Sequence, residues 1–401
     1  MSPTASKVLC SPPSFVQRPI FPSLREIGPT SGRFSLSLRS SQDIATLSLF
    51  IGSSQLVSVN VVVSTFRGCG NALVDTFYPL LRNFSNLNLT FGRPSIEVPL
   101  ELQPISELNS LRELIYGGSM NRDLLTAIGY LPKLRKLRIA GFNIGPDDTS
   151  GPTEGWLTRL EELRIETMSV WGVKMLLCYP IPALKAVKGK AETAECLREL
   201  LARAANPGAT LGELMIRVPG ITLQYADLYG IMHHDNLQYL QIGDSLYVNL
   251  DDEQLGTIIK CLPRLLHFSL YPSLTNRRLQ NDTNTQLTLL SLQNILHYCP
   301  VIGHIEIEFD ATDIPKFSVP FALQDCSVRM ETLTLFAGCL RVLDPEGVAA
   351  WLVELVTSFE HVRLGSLRIY NDDWPEVANI FLTLRKEKRS SLVGSIGARI
   401  E

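Results

Sequence analysis

LDDEQLGTIIKCLPRLLHFSL, residues 250–270, carries two hydrophobic periods back to back. Leu255, Ile258 and Ile259 recur at the three-and-four spacing of one helix face, with acidic residues at the start and Pro263 just after the end. Leu265, Phe268 and Leu270 then follow at spacings of three and two. The last two lie two apart and point to one face of a strand, while the residues between them point to the other. The stretch therefore predicts a helix running directly into a half-buried strand.

The same triplet recurs along the chain: Leu56/Val59/Val61, Phe84/Leu87/Leu89, Leu111/Leu114/Tyr116, Leu134/Leu137/Ile139, Leu160/Leu163/Ile165 and a degenerate Leu184/Val187/Gly189. It continues as Leu211/Leu214/Ile216, Leu237/Leu240/Ile242, Ile302/Ile305/Ile307, Met330/Leu333/Leu335 and Leu364/Leu367/Ile369, with FPSLREI (Leu24, Ile27) as a weak opening member. Helical spacing returns between triplets, as in NRDLLTAIGYLP and LSLQNILHYCP. Intervals of roughly 23 to 37 residues are those of leucine-rich repeats that carry a true helix. The expected fold is α/β, a leucine-rich-repeat solenoid with a curved parallel sheet on the concave face and helices on the convex face. One unit cannot bury its own apolar edge, so the array is expected to behave as one continuous domain. The Asn that commonly follows the triplet is missing at most positions, where Ser119, Met168, Ser245 and Ser273 stand, so the array is expected to be irregular.

Residues 1–20 are rich in Ser and Pro and read as a flexible N-terminal segment, followed by the solenoid over 21–370. A capping helix is expected over 371–390, where Asp372 or Asp373 opens NDDWPEVANIFLTLRKEKR, Pro375 sits in the first turn and Lys and Arg fill the last. Residues 391–401 read as a frayed tail. The run GPTSGRFSLSLRSSQ (28–42) reads as a loop or irregular repeat, and AETAECLRELLARAA (191–205) as a helix on propensity.

Lys plus Arg at 37 against Asp plus Glu at 40 leaves a charge of -3, without the basic excess that nucleic acid rewards. The longest strongly apolar stretch, 56–63, is interrupted by Ser58 and Asn60 and falls far short of the roughly 18 residues of a membrane span. Neither nucleic acid nor a membrane is an expected partner. The start shows no secretory leader, and eight scattered cysteines without a C-x-x-C pair suit buried thiols in a reducing compartment, so an intracellular protein is expected.

Three phrases go beyond generic repeats: residues 250–270, LTLLSLQNILHYCPVIGHIEIEFD (287–310), and DPEGVAAWLVELVTSFEHVRLG (344–365) followed by WPEVANIFLTLRKEKR. Together they resemble the repeat region of F-box proteins of mushroom-forming fungi, over residues 21–390. In that family a helix ending in Trp-Pro or Cys-Pro runs into the next strand, and a Trp-containing helix ending in Arg and Glu closes the chain. Leu262-Pro263, Cys299-Pro300 and residues 374–388 fill those places. The resemblance implies a substrate receptor of a cullin-type ubiquitin ligase, in which an N-terminal F-box module grips the Skp adaptor while the repeats hold the substrate. This chain departs at its front, because residues 1–20 are too few for a three-helix module, and VPLELQPI (98–105) reads as a connector inside the array. A protein partner on the concave face is expected, with the Skp adaptor engaged only if an F-box is supplied elsewhere. The alternative is a stand-alone scaffold or inhibitor with no ligase link.

The sequence shows no phosphate loop, nucleophile elbow or metal-spaced Cys/His set, so neither catalysis nor a cofactor or metal is expected. RGCGNAL (67–73) reads as a plain strand-to-helix turn, and His233 and His234 as a solvated turn. The candidate partner-binding residues come from aligning the triplets. Arg138, Arg164 and Lys188 fall in one column of consecutive strands, with Arg135, Lys136 and Lys185 beside them. This basic stripe suits an acidic or phosphorylated segment, and equally an internal charge ladder with Glu113, Glu161, Glu162 and Glu166. His267 and His304 occupy equivalent positions, with Glu306 and Glu308 on the strand face of His304. Two imidazoles and a carboxylate can bind a metal or respond to pH; the preferred reading is ordinary cross-strand neighbours. Tyr239 and Tyr271 share this surface as partner anchors or as plain sheet residues.

Overall fold

The computed structural model describes residues 26–27, 58–63, 78–82, 86–91, 105–146, 156–178, 181–204, 211–245, 247–272, 286–316, 332–357, 359, 361–366 and 373–397. The segment 1–20, the run 28–42, RGCGNAL and residues 98–104 of VPLELQPI lie outside them. The chain divides into two compact units, residues 1–189 and 190–401. The division falls at the degenerate triplet, where Gly189 replaces the third apolar residue. A Cβ there would collide with the Ile165 carbonyl oxygen of the neighbouring strand, so the close backbone approach excludes any larger residue.

In the first unit the strands are β1 (Glu26–Ile27), β2 (Ser58–Val63), β3 (Asn86–Phe91), β4 (Leu111–Met120), β5 (Lys136–Phe142), β6 (Glu162–Met168) and the first four residues of β7 (Ala186–Ala191). They neighbour one another in chain order, and the registered pairs from β1 to β6 are all parallel. Parallel neighbours need crossovers. Helices α1 (Tyr78–Leu81), α2 (Arg122–Gly129) and α3 (Val170–Leu176) lie in them. Asn121 caps α2 by accepting from Leu124 N at 2.9 Å, and Ser169 caps α3 by accepting from Gly172 N at 3.2 Å. Leu114, Leu137, Ile139, Leu163 and Ile165 are buried together with Leu124, Leu125 and Ile128 of α2.

The second unit runs β8 (Glu213–Arg217), β9 (Thr222–Gln224), β10 (Tyr239–Ser245), β11 (Tyr247–Asn249), β12 (His267–Pro272), β13 (His304–Ala311), β14 (Thr332–Val342) and β15 (His361–Ser366). β9 and β11 pair with each other, and the remaining six form one parallel sheet in chain order. The helices are α4 (Ala194–Ala204), α5 (Tyr225–Leu228), α6 (Asp252–Lys260), α7 (Leu289–Tyr298), α8 (Pro345–Leu355) and α9 (Asp373–Gly397). The opening stretch folds as its periods dictate, with α6 burying Leu255, Ile258 and Ile259 and β12 burying Phe268 and Leu270. No helix among the described residues is long and apolar enough to cross a membrane.

The register follows the triplet alignment in the middle of each unit and departs from it at the ends. Leu114 and Tyr116 face Leu137 and Ile139, but Leu89 and Phe91, rather than Leu87 and Leu89, face Leu114 and Tyr116. Phe268 and Leu270 face Ile305 and Ile307, yet Leu335 faces Ile305, two residues from its expected partner. Leu364, taken as a first member, faces Leu335 and so stands in the column of second members, while Leu367 and Ile369 lie outside the described residues. A slide of two residues keeps every side chain on its own face, so alternation alone cannot register it.

Two further expectations are corrected. α9 continues to Gly397 instead of fraying after residue 390, because SSLVGSIG contains no proline to stop it. His233 is exposed, but His234 is a core residue at 4% exposure rather than part of a solvated turn. Burial, more than the neighbouring His233, lowers the His234 pKa below 6.5, against the opposing pull of a hydrogen bond with the Leu201 backbone and of Asp235. A depressed native pKa means that the unfolded chain binds the proton more tightly, so this stability is complete above about pH 6.5 and drains as pH falls toward the native value. Urea unfolding at pH 7.5 and pH 5 should therefore show a loss at pH 5 that is smaller in His234→Gln. Equal losses in the two proteins would sink this assignment.

Candidate functional site

The basic stripe of the first unit is built by register. Lys136 stands between Glu113 and Glu162 on its two neighbouring strands, and Arg138 stands directly beside Arg164. The carboxylates thread through the cations: Arg135 meets Glu161 at 3.4 Å, Lys136 meets Glu162 at 3.6 Å, Lys185 meets Glu161 at 3.2 Å and Arg138 Nη2 meets Glu166 Oε1 at 3.0 Å. The Arg138–Arg164 repulsion at one strand spacing is relieved by Glu166, two residues along from Arg164 on the same face. Arg164 is exposed and makes no ion pair among the described residues; Lys188 lies half-buried on β7. The charge-ladder reading therefore describes the geometry of Arg135, Lys136, Arg138 and Lys185. Such exposed pairs are worth about 0.2–1 kcal/mol each, so an incoming carboxylate or phosphate can exchange with them at little cost.

In the second unit Tyr239, His267 and His304 are successive register partners on β10, β12 and β13. Their rings stack. Tyr239 and His267 lie 5.9 Å apart at 26°, and His267 and His304 lie 4.2 Å apart at 5°. Tyr239 ends the stack with 43% exposure, and Glu213 of β8 is its partner on the other side. His304 Nε2 faces Glu306 Oε1 at 3.1 Å, and the second oxygen of Glu306 accepts from Ser269 Oγ at 2.5 Å. Burial first, and His304 second, depress the His267 pKa, against the opposing pull of Glu306 and Glu213. Its ring therefore favours the neutral form. Tyr271 is placed on β12 two residues beyond Ser269.

The sequence reading paired His267 with His304 and placed Glu306 beside them, and the register brings all three together. It missed Ser269, which is wholly buried and orients Glu306, and Glu213, the start of the column. Both were detectable, since Ser269 separates the two buried members of its own triplet and Glu213 precedes Leu214. No family model matches the chain, and no curated protein matches it.

Proposed function

We propose that the chain is a non-catalytic protein-recognition module, a leucine-rich-repeat solenoid that acts as the substrate-holding part of a ubiquitin-ligase receptor related to the F-box proteins its sequence resembles. The observation that carries this reading is the division of labour between strand faces. Among the described residues, one face of β5, β6, β10 and β12 buries apolar side chains, while the other holds charged, polar and aromatic side chains in register, with Lys136, Arg164 and Tyr239 exposed. Side chains fixed at strand spacing lose little freedom when a partner binds, and an exposed Tyr is a common anchor. The ladder of the first unit adds bidentate Arg chemistry for an acidic segment. Activity of this kind is proximity, with the substrate held where a ligase modifies it.

The test joins two measurements on the full chain. Arg138→Glu/Arg164→Glu should weaken binding of a Glu-rich or phosphoserine peptide at least tenfold, the loss of about 1.4 kcal/mol; unchanged affinity would retire the stripe as a binding surface. Co-purification with the Skp adaptor supports the receptor. A chain that binds its partner protein without ever engaging the adaptor is a scaffold or inhibitor instead.

A further inference from the structure

We infer that His267, His304 and Glu306 form a binding site for one divalent transition-metal ion of the zinc or copper class. The backbone places the donors. His267 and His304 are register partners on adjacent parallel strands, and Glu306 follows two residues after His304 on the same strand face. One nitrogen of each imidazole and one carboxylate oxygen all lie within 4.8 Å of one another. Among the described residues this is the one group of His, Cys, Asp and Glu side chains with that convergence.

The donor set points to the class of ion. Imidazole suits zinc, copper and nickel, whereas magnesium and calcium take oxygen alone. Two histidines and one glutamate are also a known three-ligand set for zinc, with a fourth position left to water or to a partner's side chain. The carboxylate is already oriented for the task. Ser269 Oγ donates to Glu306 Oε2 at 2.5 Å, while Oε1 points at His304 Nε2, 3.1 Å away. A buried hydroxyl fixing a ligand carboxylate is the outer support that metal sites need.

One adjustment remains. The imidazoles lie parallel at 4.2 Å, so their lone pairs run side by side rather than meeting. Zinc at about 2.0–2.1 Å from each nitrogen requires one ring to turn about its Cβ–Cγ bond, a broad torsion that leaves the strands in place.

Equilibrium dialysis of the chelator-stripped full chain against zinc sulfate at pH 7.5, repeated with copper sulfate, tests the site. The expected result is one bound ion per chain with a dissociation constant of about 10 μM or tighter, about −7 kcal/mol. His267→Ala and His304→Ala should each weaken binding at least tenfold, as should Glu306→Gln, which keeps the Ser269 bond but loses the charge; His361→Ala should leave it unchanged. Circular dichroism checks that each variant folds. Should a histidine variant unfold, Glu306→Gln decides alone. No binding of either metal at 10 μM, or unchanged stoichiometry and affinity in Glu306→Gln, overturns the inference. Because the probe is the metal alone, either result leaves the partner-recognition reading to its own test.

Discussion

Trp374→Ala is expected to destabilise the second unit by about 3–5 kcal/mol, the usual cost of truncating a buried indole. Trp374 is 1% exposed and meets the Phe309 ring of β13 edge-on, with centroids 6.0 Å apart and planes at 82°. Val377 and Phe381 continue the stripe at helical spacing and are fully buried, which turns one side of α9 toward α8, β14 and β15. Further along, Arg385 donates to the Phe359 carbonyl and Lys388 pairs with Glu354 at 2.7 Å. The Lys388 pair is weakly held because Glu354 is largely exposed, so Lys388→Ala should cost about 1 kcal/mol or less. The indole is different, since removing it opens a cavity beside Phe309 that neither helix nor strand can close without losing other contacts. Urea unfolding gives the magnitude, and limited proteolysis within α9 gives the location. An unchanged midpoint in Trp374→Ala would mean that α9 is not part of the core.

The course of α9 shows how far the sequence carries. Asp372 or Asp373, Pro375 and the spacing of Trp374, Val377 and Phe381 announce the start and the buried stripe, because caps and periodicity are local physics. The end at Gly397 is not announced, since SSLVGSIG has neither a strong helix signal nor a stop. Register is a similar case. Phe359, Val362, Leu364, Leu367 and Ile369 repeat the three-and-two spacing twice, so two overlapping triplets fit the sequence equally well. The choice is made by the neighbouring strand, where Leu335 faces Leu364. Alternation fixes which face a residue occupies, and nonlocal pairing fixes which residue it meets.

The candidate residues divide along the same line. Stacking of His267 on His304 follows from equal places in two triplets that are in register, so it was legible. Pairing of Arg138 with Glu166, rather than with Glu162 or Glu113, depends on side-chain reach across a strand and is not written in any spacing. His234 is the sharper example. The sequence places it in a polar run, MHHDN, and only packing separates the buried ring from its exposed neighbour His233.

Asp252→Ala should cost about 3–4 kcal/mol, more than the loss of the helix cap beside it. Asp251 does the expected work, accepting from Gln254 N at 2.7 Å while Gln254 Oε1 accepts from Asp251 N at 3.4 Å. Asp252, the first residue of α6, turns to the next helix instead. Its carboxylate accepts from Thr288 N at 2.9 Å, from Thr288 Oγ1 at 2.6 Å and from Ser291 Oγ, while its carbonyl accepts from Asn294 Nδ2 at 3.2 Å. Thr288 Oγ1 in turn accepts from Leu290 N at 3.1 Å, so one carboxylate holds the residue that caps α7. Hydrogen bonds to a charged group contribute about 1.5–3 kcal/mol each, but three bonds on one hub are not additive. Asp251→Ala removes one cap and should cost about 1 kcal/mol. Asp252→Asn keeps the shape with one acceptor oxygen, so its cost should fall between the two alanine variants. Denaturant unfolding ranks the three, and hydrogen exchange along α7 should rise in Asp252→Ala before it rises in α6. If Asp251→Ala proves the costlier change, then α6 is tied to α7 by apolar packing alone, and the acidic start of LDDEQLGTIIK is an ordinary pair of cap residues.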